Sequence, residues 1–300
     1  MKADTIILNG SPTVIERKGE GLWTKAGKRF LRHKLAMLGL IILLILIILA
    51  VFAPQLSQYD PYALNLRARS APPSWEHPFG TDGTGRDIWA RILYGGRVSL
   101  SVGLVAVSIA AVIGIVIGSL AGFYSGKTDM VLMRFTDMIM TFPRLVIIIT
   151  MAAVLGPSIY NTMLIIGILS WTAIARLVRG EFLSLRKKEF VEAAYCIGTP
   201  SRTIIFRHIL PNTVSSITVA ITLGVASAIL TEASLSFLGL GVQAPIPSWG
   251  NMLHDAQTLS ILEGQPWMWL PPGVMIALAV LSINFVGDGL RDALDPRSLL

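Results

Sequence analysis

Long runs of apolar residues, separated by charged segments, dominate the 300-residue chain. Each of six runs has at least the roughly 17 residues that an α-helix needs to cross about 30 Å of hydrocarbon. The runs cover residues 35–53, 98–124, 138–155, 159–175, 214–230 and 269–286. The pattern predicts an all-α membrane protein with six transmembrane helices.

Two of the connecting segments have structure of their own. In residues 54–97, Thr84 followed three positions later by Asp87 predicts a helix start. The helix would be short and amphipathic, would lie at the membrane surface and would end at Gly95-Gly96. Residues 232–268 are semi-apolar, broken by glycine and proline and flanked by tryptophan, which predicts short re-entrant or surface helices.

The distribution of Lys and Arg predicts the orientation. Nineteen lie in the connections on the side of the two termini, and five lie on the other side, all before the second span. Because Lys and Arg accumulate in cytoplasmic loops, both termini are expected to be cytoplasmic. The predicted division is a tail (1–34), a first helix (35–53), an outer loop (54–97), a five-helix core (98–290) with a cytoplasmic loop (176–212), and a tail (291–300).

Composition agrees with a chain surrounded by a lipid bilayer. Hydrophobic residues make up 53% and charged residues 14% of the chain, whereas soluble domains carry about 25% charged residues. The net charge of +7 follows from the loop bias, and no basic face indicates nucleic-acid binding. The single cysteine, Cys196, excludes an intrachain disulfide.

Motifs for catalysis, nucleotide binding or metal binding are absent from the sequence. The stretch AGFYSGKTD, residues 121–129, has Ala121 where a phosphate-binding loop needs its first glycine. The four histidines show no metal-ligand spacing, and neither G-x-S-x-G nor H-E-x-x-H occurs. We therefore expect no metal, no cofactor and no catalysis by the chain alone.

Two ionisable residues are candidates for a translocation path. Arg144 follows Pro143 inside the third apolar run, and Glu232 follows the fifth run. An arginine at such a depth costs at least about 2.5 kcal/mol on insertion scales, so it normally faces a partner or a wet cavity. Two interpretations stay open for Arg144: its side chain extends toward the cytoplasmic surface, or it lines the path.

The stretch EFVEAAYCIGTPSRTIIFRHILPN, residues 189–212, interrupts the apolar pattern. It predicts a helix over 181–197, broken by Gly198, and a second helix over 201–209 that ends near Pro211. Thr199 is predicted to cap the second helix, with Pro200 at its first position. Ala193 and Ala194 would form a small-residue patch beside Glu192, and two such helices at an angle would suit a partner with a groove.

The spacing of this stretch resembles the EAA loop of binding-protein-dependent ABC importer permeases. Glu192-Ala193-Ala194 is followed after three residues by Gly198, and after eleven more by Leu210-Pro211. One position departs, since His208 stands where the family often has isoleucine. Residues 77–103, 229–253 and 286–297 resemble the dipeptide/oligopeptide and nickel permease group, in particular its C-type subunit.

The resemblance implies the fold, the function and the partners. It implies a type I importer permease in the inner membrane that translocates di- or oligopeptides. Its partners would be a homologous B-type permease, two cytoplasmic ATPase subunits that bind the ATP, and an extracytoplasmic solute-binding protein. The residues implied to couple to the ATPases are Glu192, Ala193, Ala194, Gly198, Thr199, Pro200, Leu210 and Pro211.

Other functions stay open on the sequence. The same machine could carry nickel chelates, glutathione or another small solute. A stand-alone channel or secondary transporter would need ionisable residues in several helices, and only Arg144 is clearly within a span. A membrane enzyme is disfavoured because no nucleophile and base occur within the spans.

Overall fold

A computed structural model of the chain describes residues 5–8, 11–14 and 22–294. The strands β1 (Thr5–Leu8) and β2 (Ser11–Val14) form an antiparallel hairpin. The rest of the described part is helical or irregular, which confirms the predicted all-α class for the body of the protein. Residues 1–4, 9–10 and 15–21 of the predicted N-terminal tail, and residues 295–300 of the C-terminal tail, lie outside the described residues.

The helices follow one another with short connections over most of the chain. They are α1 (Leu22–Arg32), α2 (Lys34–Val51), α3 (Ala53–Leu56), α4 (Ile88–Tyr124), α5 (Gly126–Thr141), α6 (Arg144–Leu155), α7 (Ile159–Leu185), α8 (Glu189–Cys196), α9 (Ser201–Thr203), α10 (Leu210–Phe237), α11 (Trp249–Asp255), α12 (Leu259–Gly264) and α13 (Pro266–Leu294). A 3-10 turn covers Leu66–Ala68, and a π-helical stretch covers Ile204–Ile209.

Five continuous helices of the described part are long and apolar enough to cross a membrane. These are α2, α4, α7, α10 with the turns before it, and α13, while α5 and α6 together form a pair bent by 79°. The third predicted span, residues 138–155, therefore falls on the end of α5 and all of α6, with the bend at Pro143. Pro143 explains the bend, because proline lacks an N–H donor and holds the preceding Phe142 in an extended conformation.

The bent pair crosses the molecule once, alongside α7. Three contacts join the pair to α7 in antiparallel order: Asp129 to Arg179, Asp137 to Arg176 and Arg144 to Ser170. At the far end, the Asn161 amide of α7 donates to the carbonyl of Leu155, the last residue of α6. The pair therefore runs the length of α7, and the described chain makes six crossings.

An even number of crossings places the start of α2 and the end of α13 on the same face. The side chains of His33, before α2, and Asp292, near the end of α13, are 3.5 Å apart. On this face, which we call the terminal face, α4 and α7 also end. The opposite face, the outer face, carries residues 54–87 and 238–265.

Close packing of α4 on α7 forms the centre of the fold. A Cβ on Gly118 would lie 2.5 Å from the Ala175 carbonyl oxygen and 2.8 Å from Cβ of Val178. Gly114 and Gly122, one turn away on either side, face α7 in the same way. The glycine motif of the second span thus brings two helix backbones together, as small residues do in membranes.

The start of α4 corrects the prediction for the outer loop. Asp87, and not Thr84, caps the helix, because its Oδ1 accepts a hydrogen bond of 2.7 Å from the Ala90 N–H. The helix does not stop at Gly95-Gly96, and its total length is 37 residues. Trp249 packs against these glycines, with Cζ2 3.1 Å from a Cβ built on Gly96, so they permit close contact and do not end the helix.

Candidate functional site

The candidate coupling segment, residues 186–209, lies on the terminal face. Its first residue, Arg186, donates from Nη1 to the Phe123 carbonyl at the end of α4, at 3.2 Å. Val191 and Ala194 are buried in the same apolar cluster as Phe182 of α7 and Ile204. These contacts attach α8 directly to the helices that end on this face.

The exposed side of α8 carries the acid and one of the two alanines. Glu192 and Ala193 are exposed, whereas Ala194 is buried, so the predicted patch of two alanines is divided. The reason is helical geometry, since adjacent residues point about 100° apart around the axis. Ile197, directly after α8, is 82% exposed.

Gly198 ends α8 through its backbone conformation. Its φ is +75°, in the left-handed region that favours glycine. The N–H groups of Gly198 and Thr199 donate to the carbonyls of Tyr195 and Ala194, both at 3.0 Å. These bonds satisfy the last carbonyls of α8 in the manner of a glycine C-cap.

The second predicted helix does not end near Pro211. The chain is helical from Ser201 to Phe237, and Pro211 follows directly after the π-helical stretch Ile204–Ile209, as the second residue of α10. Leu210 is the first residue of α10. Thr199 was predicted as the cap, but Pro200 holds that position and no side-chain bond caps the helix.

The segment that carries the acid of α8 also exposes three aromatic side chains. Phe190, Tyr195 and Phe206 are 43%, 47% and 60% exposed. The bases Arg202 and Arg207 are exposed nearby along the chain. Exposed aromatic side chains in one segment together with charges are typical of a protein interaction site.

Arg144 lies at the bend between α5 and α6. Its Nη2 donates to the Ser170 hydroxyl at 2.6 Å. Both residues line a cavity of about 350 Å³, together with Pro143 and Thr172. Among the described residues, Arg144 has no carboxylate partner. The geometry is compatible with a path contact, and its role there stays a prediction.

Glu232 is enclosed between three helices. It has no exposed surface, and its carboxylate accepts hydrogen bonds from Ser99 at 2.9 Å and Ser236 at 2.7 Å. The Ser99 hydroxyl in turn accepts the Trp249 N–H at 3.3 Å. In this conformation Glu232 joins α4, α10 and α11 and does not face an open path, and its part in transport stays a prediction.

An ion-pair network on the outer face was not predicted from the sequence. Asp82 accepts from Arg86 Nε at 2.6 Å and lies 3.6 Å from Arg91 Nε. Asp255 of α11 contacts the same two arginines at 3.1 and 3.4 Å. Arg91 is only 1% exposed. The four-residue spacing of Asp82 and Arg86 was the available signal.

The arginines also determine the protonation of Asp82. Burial alone would raise the pKa of this carboxyl group. The charges of Arg91 and Arg86, together with hydrogen bonds from Arg86 and Thr84, outweigh burial and lower the pKa below its usual value. Asp82 is therefore ionised at neutral pH and connects the outer loop to α4.

Two family profiles match the chain. Residues 114–299 match the binding-protein-dependent transport system inner membrane component. Residues 21–73 match the N-terminal transmembrane domain of oligopeptide transport permease C.

Curated relatives cover nearly the whole chain. The dipeptide transport system permease protein DppC of Alkalihalophilus pseudofirmus is 46% identical over 275 residues, 92% of this chain and 90% of that protein. The oligopeptide transport system permease protein OppC of Bacillus subtilis is 42% identical over 288 residues, 96% and 94%. The glutathione transport system permease protein GsiD of Shigella boydii is 42% identical over 292 residues, 97% and 96%.

Proposed function

Because the chain belongs to the family of binding-protein-dependent transport system inner membrane components, we propose that it translocates di- and oligopeptides across the inner membrane. It is the permease subunit of an ATP-driven importer, and it works with a second, B-type permease. Two cytoplasmic ATPases bind and hydrolyse the ATP, and an extracytoplasmic protein delivers the solute. The substrate class is supported by relatives named for dipeptides and oligopeptides over more than nine-tenths of the chain.

The observation that carries the proposed role is the attachment of α8. One side of α8 presents Glu192 and Ala193 to the exterior, and the other inserts Val191 and Ala194 into the apolar cluster between α7 and α10. A force applied to α8 by an ATPase would therefore reach two spanning helices directly. Nucleotide and solute then bias the same two-state element, which is the condition for coupling.

The orientation follows from the charge distribution. The connecting segments on the side of the terminal face hold nineteen Lys and Arg in the sequence. We therefore propose that this face is cytoplasmic. The outer face then receives the solute-binding protein. This arrangement puts the coupling segment and both termini in the compartment that contains ATP.

The test is ATP hydrolysis and peptide uptake by the importer reconstituted with its partner subunits. Glu192→Lys and Gly198→Val are expected to lose most uptake and most of the solute stimulation of ATPase activity, while the subunits still assemble. The first reverses the charge of the docking surface, and the second disfavours the left-handed cap of α8.

Glu263→Lys is the matched control, since Glu263 is exposed on the outer face. Normal stimulation and uptake in both coupling variants would overturn the assigned role of α8. Loss in the control as well would mean that charge reversal damages the complex in general.

Glutathione is a second candidate solute, because one relative over 97% of the chain is named for it. Competition for uptake distinguishes peptides from glutathione as the solute. Unlabelled dipeptides and oligopeptides are expected to suppress uptake of a labelled dipeptide, with glutathione far weaker. The reverse order would assign the machine to glutathione.

A further inference from the structure

An apolar cavity lies at the surface of the described chain between α2, α4, α10 and α13. It has a volume of about 590 Å³, and its wall consists of aliphatic side chains, two hydroxyls and one cation. The hydroxyls of Ser101 and Thr222 donate to carbonyls of their own helices, so they offer no free donor to an occupant. The cation is Arg97.

Arg97 lies at the outer end of this groove. It lines the cavity with Ala50 and Val51, and Val51 is the last residue of α2. The 18 residues of α2 span about 27 Å as a helix, close to the thickness of the hydrocarbon. The guanidinium therefore lies where the lipid phosphates begin, and Leu43, Leu104 and Ile221 line the deeper part.

No acid neutralises Arg97 within the described part of the chain. Its guanidinium carbon lies 5.9 Å from the centroid of the Tyr94 ring. Two other arginines of the outer face, Arg86 and Arg91, do pair with carboxylates. An exposed cation at the membrane surface attracts a lipid phosphate.

We propose that this groove is a binding site for one phospholipid of the outer leaflet. The phosphate contacts Arg97, and an acyl chain extends along α2, α4 and α10 toward Leu104 and Ile221. The choice of a lipid over a helix of the second permease rests on charge complementarity, since an apolar helix would leave the cation without a partner. The occupant would stabilise the contact of α2 with the core.

The test uses the assembled importer in nanodiscs that contain a phospholipid with a photoactivatable group on its acyl chain. After illumination, peptides from α4 and α10 that line the groove are expected to carry the lipid label. Arg97→Gln is expected to lower this labelling about fivefold, the effect of one basic contact to lipid headgroups, and Arg97→Lys is expected to retain most of it. Arg67→Gln, at an exposed arginine of the outer loop, is the control and should label as the wild type does.

A second variant keeps the result interpretable if Arg97→Gln assembles poorly. Val225→Trp fills the groove from α10 and should remove the label from these peptides without removing the cation. Equal labelling in Arg97→Gln would overturn the phosphate contact. Absence of labelling in the wild type, with Leu104→Cys forming a cross-link to the second permease, would assign the groove to the subunit interface instead.

Discussion

At the scale of single residues, pairing decides which charges this membrane protein buries. Arg91 is almost completely buried, yet Asp82 and Asp255 lie next to it. Glu232 is completely buried and is surrounded by serine hydroxyls. Removing one member of such a set leaves an uncompensated buried charge, which is more costly than the net worth of the pair.

Asp82 gives a prediction for acid stability. Its pKa is lower in the folded protein than the roughly 3.9 of an unfolded chain. Its contribution is therefore fully present above about pH 4 and is lost as the pH falls through the folded pKa. Thermal unfolding of the purified protein should show this loss as the pH is lowered below about 4.

Asp82→Asn should remove that acid-dependent step and destabilise the protein at pH 7 by about 1–3 kcal/mol, because Arg86 and Arg91 lose one of their two carboxylate partners and keep Asp255. Asp60→Asn is the control, since Asp60 is exposed and accepts only a local bond from Tyr62. An unchanged pH profile in Asp82→Asn would contradict the assignment of the step to this carboxyl group.

Arg144 gives a prediction for transport. If it lines the path and meets the carboxylate of a passing solute, Arg144→Lys should retain uptake of carboxylate-bearing peptides far better than Arg144→Gln. Uptake by the reconstituted importer is the measurement, after assembly has been checked. Normal transport by the Gln variant, or failure of both variants to assemble, would leave Arg144 as a structural residue bonded to Ser170.

At the scale of elements, glycine and proline have two different effects here. Pro143 bends the third crossing, whereas Pro271 and Pro272 lie inside α13 without ending it. Gly95 and Gly96 were expected to stop a helix, and they instead admit the Trp249 ring. The same residue types can therefore interrupt a helix or allow it to pack closely against a neighbour. The neighbouring element determines which of the two effects occurs.

The α4–α7 contact predicts an asymmetry between two glycines. Gly118→Val should destabilise the protein by about 1–3 kcal/mol, because the added methyl groups meet the α7 backbone. Gly180→Ala on α7 should be neutral or stabilising, since no described atom lies within 4 Å of a Cβ there and alanine favours helix. Unfolding in detergent with a graded denaturant measures both, and equal stabilities would refute the packing argument.

At the scale of the whole molecule, six crossings of the described chain put the coupling segment on the same face as the start of α2 and the end of α13. Cys196, the chain's single cysteine, is exposed on that face and reports it without mutation. A membrane-impermeant maleimide should label it in inverted vesicles and leave it unlabelled in intact cells. In a Cys196→Ser background, Gln257→Cys on the outer face should show the reverse. Labelling of Cys196 from outside would reject the proposed orientation.

Sequence by itself determined the class, the number of crossings and the family resemblance. Apolar length follows directly from hydrocarbon thickness, so runs such as 35–53 needed no tertiary information. The motif around Glu192 and Gly198 was also readable, because a glycine with positive φ after a helix leaves a local signature. These features depend on a residue and its near neighbours in the chain.

The tertiary structure alone decided which residues and elements come into contact. It joined the helix after Pro200 to α10 and enclosed Glu232 between Ser99 and Ser236. It also brought Asp255 to Arg91, 164 positions earlier in the chain. Such contacts depend on which helices become neighbours, and hydrophobic periodicity specifies that a helix has an apolar face without specifying the partner that covers it.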